Sequence, residues 1–186
     1  MVFMIRAIIR FMKKYLINGK APKLSEDVAF IDDSVIIIGD VTIEKDCTIF
    51  QNVVLEGFPN KIVIGEGTNI QSGTVVHGLQ DSDTILEKYC TVGHRSILHG
   101  CHLEEGVTIG MGSIIMGYTQ IGKYSIVGAG SLVTERKEFP AYSMILGRPA
   151  KLVKALDSQN EKSVLEIAKL YIEEGKKLKN ELISIR

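Results

Sequence analysis

The feature that most constrains this chain is a row of aliphatic residues that returns every sixth position. The row reads Ile31, Ile37, Ile43, Ile49, Leu55, then Ile64, Ile70, Val76, then Leu86, Val92, Leu98, and then Leu103, Ile109, Ile115, Ile121, Val127, Val133. A period of six fits neither an α-helix, at 3.6 residues per turn, nor a single strand, with a period of two. It fits a coiled stack of very short strands, in which each repeat buries its aliphatic residue against the coils above and below. Four residues after the aliphatic position the side chain is usually small or β-branched: Val41, Cys47, Val53, Thr68, Thr74, Cys90, Ser96, Val107, Ser113, Thr119, Ser125 and Ser131. A small residue is what a corner of such a coil requires. Aromatic residues are 6% of the chain and Trp is absent, so the core has to be aliphatic.

This repeat resembles the hexapeptide-repeat proteins, which are left-handed triangular prisms with about 18 residues per coil. The resemblance implies a mostly β protein: a left-handed parallel β-helix over residues 19–135, preceded by an extension at 1–18. Residues 136–186 then form a connection and a C-terminal helix packed on the prism. The phase slips by three extra residues between Leu55 and Ile64, by four between Val76 and Leu86, and by one missing residue between Leu98 and Leu103. These are the places where chain leaves the prism, and loops on a rigid scaffold tend to carry function. From Ser158 the pattern turns helical, with Leu165, Ala168, Ile172 and Leu182 on one stripe and Val164, Tyr171 and Leu178 beside it. Ser158 and Glu161 have capping-box spacing. Gly175 costs an ordinary helix about 1 kcal/mol relative to Ala.

Lys+Arg and Asp+Glu number 22 each, which removes a general electrostatic attraction to nucleic acid. The apolar N-terminal stretch is interrupted by Arg6, Arg10, Lys13 and Lys14, too often for a transmembrane segment, and reads as a packing element or an extension. Cys47, Cys90 and Cys101 form no CxxC pair, which points to a reducing, cytoplasmic compartment and to thiols packed as small hydrophobes. Cys101, two residues from His99, is also a candidate soft ligand.

Histidines carry the clearest chemistry. His77 directly follows Val76 and His99 directly follows Leu98, a separation of one coil plus the four-residue insertion. Their imidazoles are expected to stack about 5 Å apart, the spacing of neighbouring strands, where both can reach one cation. His94 falls on the preceding face, within reach only from a neighbouring prism in a threefold assembly. His102 lacks this register and is expected to be exposed or to play a supporting part.

The segments NIQSGTVVH (69–77), GHRSILHGC (93–101) and GRPAKLV (147–153) together resemble the γ-class carbonic anhydrases. That resemblance implies a homotrimer binding Zn²⁺, or Fe²⁺ or Co²⁺, through His77 and His99 of one chain and His94 of the next. The implied reaction is reversible hydration of CO₂ to bicarbonate, with Gln71 orienting the attacking water and Asn69 supporting the local structure. Gln71 and Asn69 read equally well as polar side chains that cap stacked backbone at a prism corner. Glu56-Gly57-Phe58 stands where the family usually has Arg-x-Asp, and Ser72 where it has Asp. A Glu in place of Arg disfavours anionic ligands nearby. Asp81 and Asp83 in the inserted loop offer carboxylates for proton transfer. Two other functions stay open: a hexapeptide-repeat acyltransferase using acyl-CoA, with one histidine as general base, and a metal-binding trimer without hydratase activity.

Overall fold

Each hexad contributes one short strand and one corner, and three hexads close a coil. In the computed structural model, which describes residues 12–183, these coils stack into a left-handed parallel β-helix of about seven turns followed by a single helix. The first face of the prism stacks Phe30–Ile31, Thr48–Ile49, Asn69–Ile70, Thr91–Val92, Thr108–Ile109, Ile126–Val127 and Ser143–Gly147, all in parallel. The second face stacks the opening halves of Ile36–Ile43 and Val54–Ile64 with Val75–His77, Ile97–His99, Ile114–Ile115 and Leu132–Val133. The third stacks the closing halves of those two long strands with Thr84–Leu86, Cys101–Leu103, Thr119–Ile121 and Glu138–Phe139. Lys13–Tyr15 adds a parallel rung to the second face at 36–38. Most of the N-terminal stretch read as a packing element or extension, residues 1–11, lies outside the described residues.

The aliphatic row is the core. Every member except Ile31, in the first rung of its face, is at most 1% exposed, and the small corner residues are equally buried. The corners follow a rule that the residue types conceal. The third residue after most of the aliphatic positions has positive φ, the exceptions being Ser34, Asp40, Phe58, Leu79 and Cys101, and at Asp46, Asn52, Tyr89, Arg95, Tyr118, Tyr124 and Arg136 it is not glycine. Left-handed backbone costs such residues about 1–2 kcal/mol each. Two of the tyrosines recover packing by lying over a glycine one coil away. A Cβ on Gly67 would approach the Tyr89 ring to 2.6 Å, and one on Gly106 would approach the Tyr124 ring to 2.5 Å.

The helix, Gln159–Glu181, lies along the prism with Val164, Ala168 and Gly175 buried. It is pinned at two heights. Asn160 donates to the Tyr124 carbonyl (2.6 Å), the Thr48 hydroxyl donates to the Tyr171 carbonyl (2.9 Å), and the Tyr171 ring meets Phe50 edge-on at 5.9 Å. The expected capping box does not form. Asp157 accepts the Gln159 N–H (3.0 Å), while Glu161 is drawn to the prism, where it accepts the Tyr142 hydroxyl (3.1 Å). Leu182 also departs from the expected stripe. It is 54% exposed, beyond the last helical turn, where the helix has already reached the start of the first face at Val28.

Gly175 is explained by close approach, since a Cβ there would come to 2.5 Å from Thr48 Oγ1 and 3.1 Å from Ala29 Cβ. Gly175→Ala should therefore destabilise the protein by about 1–2 kcal/mol through overpacking, instead of stabilising it by the helix-propensity difference. Urea unfolding reads the sign directly.

Candidate metal centre

The second face ends, coil after coil, in the pattern aliphatic–x–Gly: Ile37-Ile38-Gly39, Leu55-Glu56-Gly57, Val76-His77-Gly78, Leu98-His99-Gly100 and Ile115-Met116-Gly117. The aliphatic residue points inward, so x points outward along the edge between the second and third faces. Glu56, His77 and His99 are consecutive rungs of that column, paired Glu56 with His77 and His77 with His99. The two imidazoles stack with centroids 5.0 Å apart and planes 12° apart. The glycines leave room for inserted chain at the same corner. A Cβ on Gly100 would approach Leu79 Cβ to 2.6 Å.

This pair fits a divalent cation. Neutral imidazole nitrogen is a suitable donor for Zn²⁺, Fe²⁺ or Co²⁺, and burial, reinforced by neighbouring His77, lowers the pKa of His99 against an opposing pull from Glu135. The neutral, ligating form is thereby favoured. Nδ1 of His77 is buried without a hydrogen-bond partner, a cost of about 1–3 kcal/mol that a cation or a partner chain at this edge would relieve. Bonds of about 2.0–2.1 Å at a tetrahedral angle set two nitrogens about 3.4 Å apart, so from a ring spacing of 5.0 Å the two ligating edges would tilt together by about 1.6 Å in all.

The remaining expected site residues sit one corner away. His94 follows the first-face strand Thr91–Val92 and is exposed. Its backbone N–H donates to Gln71 Oε1 (3.2 Å). Gln71 is 6% exposed and also donates to the Tyr171 hydroxyl (2.7 Å) and, at 3.4 Å, to Asn69. Asn69 in turn donates to Thr91 Oγ1 (2.8 Å). Asn69, Gln71 and His94 are therefore one network, and His77 and His99 another. His94 and His99 lie at opposite ends of one second-face rung, five residues apart around the left-handed corner at Arg95, a span of at most about 16 Å. Among the described residues, no three His, Cys, Asp or Glu side chains converge within one chain.

The surface between these two corners is apolar. Its outward ladder, rung by rung, is Ile36, Val54, Val75, Ile97, Ile114 and Leu132. The third face presents Thr42, Val63, Ile85, His102, Gln120 and Glu138 instead. This ladder was readable in the sequence as the residue before each second-face aliphatic position. Tyr171, a hundred residues from Gln71, carries no comparable signal.

Over residues 100–135 the chain matches the family described as bacterial transferase hexapeptide (six repeats). It is 34% identical over 171 residues to the mitochondrial γ carbonic anhydrase 2 of Arabidopsis thaliana, aligning over 85% of this chain and 61% of that protein. It thus spans less than two thirds of that relative's length. A carbonic anhydrase of Geobacillus kaustophilus is 39% identical over 161 residues, covering 87% of this chain and 88% of its own length. The chain belongs to the γ-class carbonic anhydrase-like family. A solved structure similar to this family member, a hexapeptide transferase family protein from Anaplasma phagocytophilum, has 36% identity and a TM-score of 0.84, covering 89% of this chain and 97% of that one.

In this family member the other candidate groups lie elsewhere. His102 pairs with Glu87 on the third face (2.9 Å). Asp83 pairs with Lys61 (3.3 Å), and Asp81 lines a shallow third-face cavity of about 350 Å³ beside His102. Ser72 donates to Gln51 (3.2 Å). Cys101 points into the core, at 1% exposure, and is no ligand for the histidine edge. Burial pushes all three thiols up to about 12, leaving only about one in 10⁴ ionised at pH 8. The native protein should therefore leave Ellman's reagent unreacted for hours, while the denatured chain releases three equivalents, one per cysteine.

Proposed function

We propose that this protein is a metal-dependent carbonic anhydrase interconverting CO₂ and bicarbonate as a homotrimer. His77 and His99 of one chain and His94 of the next would hold Zn²⁺, with Fe²⁺ or Co²⁺ as alternatives. The observation that carries this reading is a stacked imidazole pair at one edge of an apolar face, with an exposed third imidazole at the other edge of the same coil. A cyclic assembly about an axis parallel to the stack preserves height. The leading corner of one prism then meets the trailing edge of the next at equal level, setting His94 beside His99, Ser72 beside His77 and Met111 beside Met116. The aliphatic ladder leaves water at about 25 cal/mol per Å² of apolar area.

Three neutral imidazoles leave a coordination position open, and a divalent ion there supplies Lewis acidity and a water-derived nucleophile at neutral pH. The chain's own residues do the rest. Gln71 holds the His94 backbone and is itself held by Tyr171, so His94 is presented by a buried network and not by a free loop. Asn69 ties that network to the next coil through Thr91. Leu79 and the second-face ladder exclude water beside the histidines, which suits a small uncharged substrate. The reduced, buried cysteines support a cytoplasmic setting, and no helix among the described residues is long and apolar enough to cross a membrane. The likeness to a hexapeptide transferase family protein supports acyl transfer from acyl-CoA as a second reading; acetyl-CoA that fails to bind at millimolar concentration would count against it.

Protein reconstituted anaerobically with Zn²⁺, Fe²⁺ or Co²⁺ should hydrate CO₂ in stopped flow above a His94→Ala blank. Full metal occupancy without such activity would leave a metal-binding relative and remove the hydratase reading. The shared site has its own test. His77→Ala and His94→Ala chains should each take up no metal alone, yet a refolded equal mixture should recover about one quarter of the wild-type occupancy, because one site in four draws both halves intact. No recovery would sink the inter-chain site.

A further inference from the structure

We infer that Glu56 is an electrostatic selector for this centre, strengthening cation capture at the histidine edge and weakening capture of anions there. The inference rests on the metal-centre reading above. Glu56 is the rung directly below His77 in the outward column, about 4.8 Å away along the stack. Its carboxylate is half-buried and has no hydrogen-bond or ion-pair partner among the described residues. Lys61, five residues further along the same long strand, is paired with Asp83 instead (3.3 Å).

A cation shared by His77 and His99 would sit between those two rungs, more than one rung above Glu56. A glutamate side chain spans only part of that distance, so its carboxylate acts through space from about 6–7 Å and not as a ligand. At that range, with an effective dielectric constant of about 40, a full negative charge changes the affinity of a unit charge by about tenfold. The effect has opposite signs for the two partners. A cation gains, and an anion bound to that cation loses. The centre would take an uncharged substrate readily and release an anionic product readily.

The test uses Co²⁺, whose visible spectrum reports ligand exchange, with thiocyanate as the anion. Cobalt affinity is measured by chelator competition and thiocyanate affinity by titration of the loaded protein. Glu56→Gln should bind Co²⁺, which carries two charges, roughly a hundredfold more weakly and thiocyanate about tenfold more tightly, while Glu56→Asp, which keeps the charge, should follow the wild type in both. Glu56→Ala provides a second neutral side chain with the same expected signs. A loaded neutral variant in which thiocyanate affinity is unchanged, or in which both affinities move the same way, would overturn this inference alone. A wild type that takes up no cobalt would remove the metal-centre reading and this inference with it.

Discussion

The lateral register between successive coils is the constraint on which the rest of this structure depends. Each strand hydrogen-bonds in parallel to the coil on either side, as where Thr48 N–H meets the Thr68 carbonyl and Thr91 N–H the Val107 carbonyl. No residue can therefore slide without moving its whole column. The same hydrogen bonds that seal the aliphatic core also line up whatever points outward. His77 and His99 are brought to 5.0 Å by backbone pairing and not by any attraction between the rings. Burial and the neighbouring His77 ring both lower the pKa of His99, so the rings do not draw each other together and their juxtaposition is imposed by the stack.

The corners divide the labour. Between the first and second faces, Asn69, Gln71 and the helix residue Tyr171 form a buried network that fixes the backbone of His94. Between the second and third faces, a column of glycines lets inserted chain fold against the prism without displacing the histidines. The helix runs along the first face, and its close approach at Gly175 and Thr48 brings Tyr171 within reach of Gln71. Buried networks of this kind hold side-chain positions because leaving any member unpaired carries a full desolvation cost.

One prism presents an imidazole pair and a third imidazole at opposite edges of an apolar face. Separation by a full strand length is a rigid feature, because the strand between His94 and His99 is part of the core through Leu98. The aliphatic ladder on that face and the histidines at its two edges are therefore best understood together, as a surface and the chemistry that the surface would align.

Much of this was legible in the residues themselves. The six-residue row and the small corner row required a stacked coil, since only that geometry returns a side chain to one line every sixth position. The phase slips located the insertions, and the 22-residue spacing of His77 and His99 was enough to stack them. The left-handed corners at Tyr89, Arg95 and Tyr124 were hidden because packing overrode a preference that usually selects glycine. The capping box was misread because Glu161 found a stronger partner in Tyr142, and the tie between Gln71 and Tyr171 was invisible because no periodicity links residues so far apart. The sequence by itself thus determined the coil, its interior and the outward columns, all of which repeat locally. Only the tertiary structure decided where the helix docks and which polar groups it engages, because those depend on contacts between segments that share no period.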